Sequence, residues 1–133
     1  MKTTLDCVFI SIMGLLLIAS GLLSFRPTDP RRATASAKTV IATLQVTLDS
    51  LQEDTGRYPT TAEGLRTLMK EPASGMDRWQ GPYLRKFPEA DPWGREYHYV
   101  SPGQHNTDGY DLWSFGPDRK DGTKDDITNW PEK

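Results

Sequence analysis

The sequence predicts an α+β fold: a long N-terminal helix packed on a small antiparallel sheet. Three observations predict it. Apolar residues recur at three- and four-residue steps from Ala37 to Leu51. Short alternating runs come late in the chain, over residues 96–100 and 110–115. Between them the chain is punctuated by proline and glycine, with 10 Pro and 11 Gly in 133 residues. Helical periodicity first and strand periodicity afterwards segregates the two structures, the pattern of α+β rather than of alternating βαβ units.

The N-terminal segment comes first in the chain and stands apart from the domain. Residues 7–25, CVFISIMGLLLIASGLLSF, carry no charged side chain. About 20 apolar residues cross a bilayer as a helix, so residues 1–25 read as a membrane anchor. Arg26-Pro27 directly follows the apolar core where a cleaved secretory signal would show small residues, which favours a retained anchor. Flanking charge does not orient it: Asp6 offsets Lys2, and Arg26, Arg31 and Arg32 lie on the other side. Pro27 and Pro30 make residues 26–32 a hinge, since each removes a backbone donor and restricts its neighbour. Residues 33–133 then fit one small domain.

Within that domain the periodic stripe is Ala37, Val40, Ile41, Leu44, Leu48 and Leu51, the buried face of an amphipathic helix. Gly56 is its stop. Thr60 and Glu63 have capping-box spacing, which predicts a second, short helix with Leu65, Leu68 and Met69 on its buried face and Pro72 beyond its end. Residues 72–82 read as a loop and residues 83–87 as a strand. Asp91-Pro92-Trp93-Gly94 is a turn signal. Residues 96–100 read as a second strand, Tyr97 and Tyr99 on one face and His98 on the other, and residues 110–115 as a third.

Composition excludes some functions. The net charge of -2 offers no basic field for nucleic acid. The one cysteine, Cys7, permits no intramolecular disulfide. A domain this small buries a limited share of its surface, so a staple of another kind is valuable. The loop after the third strand offers one: Asp118, Asp121, Asp125 and Asp126 precede the apolar Ile127 and Trp130. Calcium takes six to eight oxygens from carboxylates and carbonyls on a loop able to wrap, although the spacing is not that of an EF-hand. The plainer alternative is a solvated turn in which Arg119, Lys120 and Lys124 pair with the acids; such surface pairs contribute about 0–1 kcal/mol, too little to order a loop.

His98 and His105 are the only histidines and read as ordinary surface residues, because a transition-metal site needs three or four nitrogen or sulfur ligands. No Gly-x-Ser-x-Gly elbow is present, and an exposed, lysine-containing acidic loop lacks the cleft and shifted carboxyls that hydrolysis requires. The chain therefore does not read as an enzyme. Trp93, Trp113 and Trp130 read as core or loop anchors, and Trp79, in a polar loop, as a contact surface.

Several pieces, in order, carry a family resemblance. They are Gly56-Arg57-Tyr58-Pro59-Thr60-Thr61-Ala62-Glu63-Gly64-Leu65, then Gly81-Pro82-Tyr83-Leu84, then Asp91-Pro92-Trp93-Gly94 with Tyr97 and Tyr99. Pro102-Gly103 comes next, then Tyr110-Asp111-Leu112-Trp113-Ser114-Phe115-Gly116 with Asp118, and Asp126-Ile127-Thr128-Asn129-Trp130. Over roughly residues 33–130 the chain resembles the major pseudopilins of type II secretion systems, which are type IV pilin-like. Each piece alone is weak; their order and spacing make the signal specific.

The resemblance implies a helix whose first half spans the inner membrane, with the C-terminal domain in the periplasm. It implies a homo-oligomeric filament, a pseudopilus that helps export folded proteins across the outer membrane, with minor pseudopilins and inner-membrane secretion components as partners. It implies calcium in the C-terminal loop, with carboxylates from Asp118, Asp125 and Asp126 and backbone carbonyls from Leu112 and Ser114. One departure accompanies it. The leader glycine and the fifth-position glutamate of that family have no counterpart around the apolar run, where Asp6 is the only nearby acid. A buried acid in a membrane needs a partner, so its absence keeps open a second expectation, a non-polymerising, membrane-tethered interaction module.

Overall fold

The computed structural model describes residues 29–131. The expected anchor, residues 1–25, and the start of the expected hinge lie outside the described residues. Among the described residues, no helix is long and apolar enough to cross a membrane.

Helix α1 runs Pro30–Thr55. It starts three residues ahead of the expected residue 33, inside the stretch read as a hinge. Proline at the first helical position loses no hydrogen bond, because that N–H has no partner in a helix anyway. Asp29 caps the end, its Oδ1 accepting from the Arg31 N–H at 3.0 Å. At the other end Gly56 takes the left-handed conformation (φ 82°) and donates its N–H to the Gln52 carbonyl at 2.7 Å, as its position in the sequence predicts.

The predicted stripe is the buried face: Ala37, Ile41, Leu44, Leu48 and Leu51 are all 3% exposed or less, and Val40 packs at the edge. Removing any one of the three leucines to alanine would cost about 2–5 kcal/mol. The opposite face carries Thr39, Thr43 and Ser50, whose hydroxyls bond back to carbonyls four residues earlier.

The chain after α1 is pinned by the capping box. The Glu63 carboxylate accepts from the Thr60 N–H at 2.8 Å while the Thr60 hydroxyl accepts from the Glu63 N–H at 3.2 Å. Arg57 clasps the same carboxylate through both terminal nitrogens, at 2.7 and 2.8 Å. The box opens a single 3-10 turn, Leu65–Leu68, rather than an α-helix. With three residues per turn, Leu65 and Leu68 eclipse and both go inward, which leaves Met69 at 37% exposure instead of on the buried face.

Residues 83–87 are not a strand. The Tyr83 and Leu84 N–H groups both donate to one acceptor, the Leu68 carbonyl, at 2.7 and 3.0 Å, a geometry no sheet ladder allows. The Tyr83 hydroxyl reaches Asp54 on α1 at 2.9 Å, and Phe87 lies under the Arg66 guanidinium. Trp79, expected as a contact surface, is tied to the domain itself. Its indole N–H donates to the Thr67 carbonyl at 3.0 Å, and the ring packs half-buried on the core.

The sheet has strands β1 (His98–Val100), β2 (Asp111–Ser114) and β3 (Ile127–Thr128), ordered β1-β2-β3 and antiparallel throughout. Sequence reading identified the first two and missed β3, which is only two residues long. The register sets Tyr99 opposite Leu112 and Ser114 opposite Ile127. Alternation turns Leu112, Ser114 and Ile127 onto α1, and His98, Trp113 and Thr128 to the outer face. Leu112 is fully buried.

Candidate functional site

The C-terminal loop leaves β2 and returns as β3. Its entrance is built from three residues. The Ser114 hydroxyl donates to Asp91 Oδ2 at 2.5 Å and accepts the Gly116 N–H at 3.1 Å. Asp91, 5% exposed, also accepts the Trp93 and Arg95 N–H groups, each at 2.9 Å. The Asp91-Pro92-Trp93-Gly94 turn is thereby tied to the end of β2. Gly116 has φ 67°, and a methyl group on its α-carbon would run into the Asp125 carbonyl oxygen. Only glycine lets the outgoing and returning arms of the loop come this close.

The expected metal-binding residues fall into two groups. Leu112 and Ser114 are buried on β2, and the Leu112 carbonyl already accepts the Asn129 N–H at 3.0 Å, with a second lone pair remaining. Asp118 and Asp125 are exposed. Asp118 accepts the Lys120 N–H at 2.9 Å, and the Asp125 N–H donates to the Thr123 hydroxyl at 3.3 Å. Asp126 is half-buried: its Oδ2 accepts the Gly122 N–H at 2.9 Å, while its Oδ1 is buried with no hydrogen-bond partner. Burial pushes the Asp126 carboxyl above its ordinary value, and the charges of Asp121 and Asp118 push the same way.

A buried oxygen without a partner is costly, and neighbouring acids raise the cost. Carboxylates and backbone carbonyls are hard oxygen donors, the kind that suit calcium chemically. Among the described residues, no three His, Cys, Asp or Glu side chains stand close enough to hold a metal by themselves. An ion here would have to draw on backbone carbonyls and pull the exposed carboxylates inward.

The histidines are built into stacks. His98 lies on Phe115, with ring centroids 3.9 Å apart and planes 14° apart, and His105 lies on Trp130 at 4.2 Å and 7°. Asp111 is a buried carboxylate that sequence reading did not single out. Burial raises its carboxyl, but the N–H groups of His105, Asn106 and Gln104 outweigh that and hold it below its ordinary value. It ties residues 104–106 to β2. No sequence signal marks it, because the three donors are contributed by a loop folding back on the strand. Asn129 performs the matching role for the tail, its Oδ1 accepting the Leu112 N–H at 2.9 Å and its amide donating to the Tyr110 carbonyl at 3.1 Å.

Comparison with known proteins agrees with this geometry. Residues 28–130 match the family described as type II secretion system, protein G. A type II secretion system core protein G of Klebsiella michiganensis is 39% identical over 128 residues, covering 92% of this chain and 86% of the relative. One from Escherichia coli is 37% identical over 128 residues, covering 92% and 82%. The crystal structure of the major pseudopilin from the type 2 secretion system of enterohaemorrhagic Escherichia coli superposes with a TM-score of 0.65 at 36% identity, over 75% of this chain and 88% of that one. The helix capped at Gly56, the three-stranded sheet and the loop closed on Gly116 are therefore those of a family member: this chain belongs to the protein G family of type II secretion systems.

Proposed function

We propose that the chain is a structural subunit of a type II secretion pseudopilus, self-assembling to help export folded proteins across the outer membrane. The observation that carries this is the match of the α1-on-sheet domain to a major pseudopilin across three quarters of the chain, at an identity well above chance. The role is scaffolding rather than catalysis: the conspicuous buried polar groups, Asp91, Ser114 and Asp111, are all spent on holding loops to the sheet. Residues 1–25 would anchor the chain in the inner membrane, with the described domain in the periplasm and minor pseudopilins and inner-membrane secretion components as neighbours.

Calcium belongs to the same proposal. Asp126, with its orphan oxygen, would be the central carboxylate, Asp118 and Asp125 would supply further oxygens, and the Leu112 and Ser114 carbonyls would complete the set. Bound to the folded loop alone, the ion stabilises it by mass action.

Crosslinking of the full chain in membranes tests assembly. A ladder of homo-multimers is the expected result. A single hetero-adduct with no ladder would instead establish the second reading, a membrane-tethered interaction module.

A further inference from the structure

Trp113 lies on the central strand of the sheet, between His98 on β1 and Thr128 on β3. Its ring packs on the outer face against His98, with centroids 5.2 Å apart, and edge to face against Trp130, at 5.7 Å and 64°. From this position the indole N–H donates to Asp121 Oδ1 at 3.0 Å. Asp121 is exposed, and among the described residues this is its one side-chain hydrogen bond.

The next residue carries the restraint onward. The Gly122 N–H donates to Asp126 Oδ2 at 2.9 Å, and the other Asp126 oxygen has no partner among the described residues. Trp113, Asp121, Gly122 and Asp126 all line one cleft of about 660 Å³. A strand paired on both sides is thus linked to a half-buried carboxylate through consecutive loop residues. Leu112 and Ser114, whose carbonyls belong to the proposed calcium set, flank Trp113 on that same strand.

An ion that takes oxygens from both a strand and a loop needs the two held at a set spacing. An unrestrained loop must be ordered when the ion binds, and that ordering weakens affinity. Groups outside the ligand set that hold ligands in place typically change metal affinity by about 10–100-fold. An indole N–H on a carboxylate suits this role, because the bond is charge-assisted and stronger than a neutral one.

We infer that Trp113 is a positioning residue for the C-terminal loop: its indole N–H holds Asp121, and with it the Gly122 N–H that fixes Asp126 for calcium. The inference rests on the calcium reading above and adds Trp113 and Asp121, both outside the proposed ligand set. Asp121 has a second way to act, through its charge alone. Burial does most to push the Asp126 carboxyl up, and the Asp121 charge adds to it. The experiment therefore separates the donor from the charge.

The full chain, held in zwitterionic detergent, is titrated with calcium chloride by calorimetry. Asp121→Ala, a change at an exposed side chain, should weaken calcium about tenfold. Asp121→Asn loses the charge but keeps an acceptor for the indole, and should stay within about threefold of the parent. Trp113→Phe keeps the charge and a ring but loses the donor, and should weaken calcium about fivefold. Added to Asp121→Ala, Trp113→Phe should change affinity by less than about twofold, because its partner is already gone. ¹⁵N spectra give a readout that charge alone would not move: Asp121→Ala should shift the Trp113 indole resonance in calcium-free protein. A parent chain that binds no calcium would overturn this inference and the calcium reading together. Calcium bound equally well by the parent and Trp113→Phe would overturn the inference alone. So would Asp121→Asn as damaging as Asp121→Ala, additive losses in the double variant, or an unmoved Trp113 resonance.

Discussion

The Ser114 hydroxyl donates to the buried Asp91 carboxylate at 2.5 Å, joining segments 23 residues apart. This contact closes the base of the C-terminal loop. It also ties a turn in mid-sequence to the end of β2.

Asp91→Ala removes that acceptor and strands the Trp93 and Arg95 N–H groups together with the Ser114 hydroxyl. Loss of about 2–4 kcal/mol is expected, read from urea unfolding. Ser114→Ala leaves the carboxylate its two backbone donors and should cost about 1–2 kcal/mol. Equal losses would show that the hydroxyl, not the turn, dominates.

Gly116→Ala meets two penalties. The residue must hold a positive φ, and its methyl group must displace the Asp125 carbonyl. Together they predict a loss of about 2–4 kcal/mol. Gly122, also at positive φ but with open space around its α-carbon, is the comparison: Gly122→Ala should cost only about 1 kcal/mol. Thermal melts of the two variants decide it.

Acid should loosen the Glu63 clasp. The two hydrogen bonds from Arg57, with the Thr60 N–H and the Ser74 hydroxyl, pull the Glu63 carboxyl from 4.5 down to about 2. A carboxyl lowered by folding contributes stability above its unfolded value and loses it as pH falls toward its folded one. Stability should therefore fall between about pH 5 and pH 2, and Glu63→Gln should flatten that part of the curve while costing about 1–2 kcal/mol at pH 7. An unchanged pH profile in Glu63→Gln would refute the assignment.

Chelation should lower the melting temperature and expose the loop between Gly116 and Ile127 to protease. Asp126→Asn should remove the effect of calcium while stabilising the calcium-free protein, because the buried charge is gone. A melting curve identical in calcium and in excess chelator would refute the metal proposal.

Much of the frame was readable from local pattern. The stripe from Ala37 to Leu51, the stop at Gly56, the Thr60–Glu63 capping box and the Asp91-Pro92-Trp93-Gly94 turn all depend on neighbours within a few residues. Residues 83–87 misled because Tyr83 and Phe87 carry β-type side chains, yet the backbone hydrogen bonds of Tyr83 and Leu84 go to Leu68 and the packing goes to α1 and Arg66. Trp79 sits among polar neighbours in sequence but finds the Thr67 carbonyl in space. Residues 127–128 are too few to show any period, and they become a strand only because Trp113 and Ser114 stand ready to pair.

The order of amino acids by itself determined the helix, its stop at Gly56, the turns and the family, since each rests on short-range spacing. The tertiary structure alone decided which oxygen of Asp126 is left without a partner, that Asp121 is held by Trp113, and that Asp91 meets Ser114. The Asp91–Ser114 contact joins segments 23 residues apart, the other two depend on how the C-terminal loop folds back on itself, and burial exists only once the sheet has closed on α1.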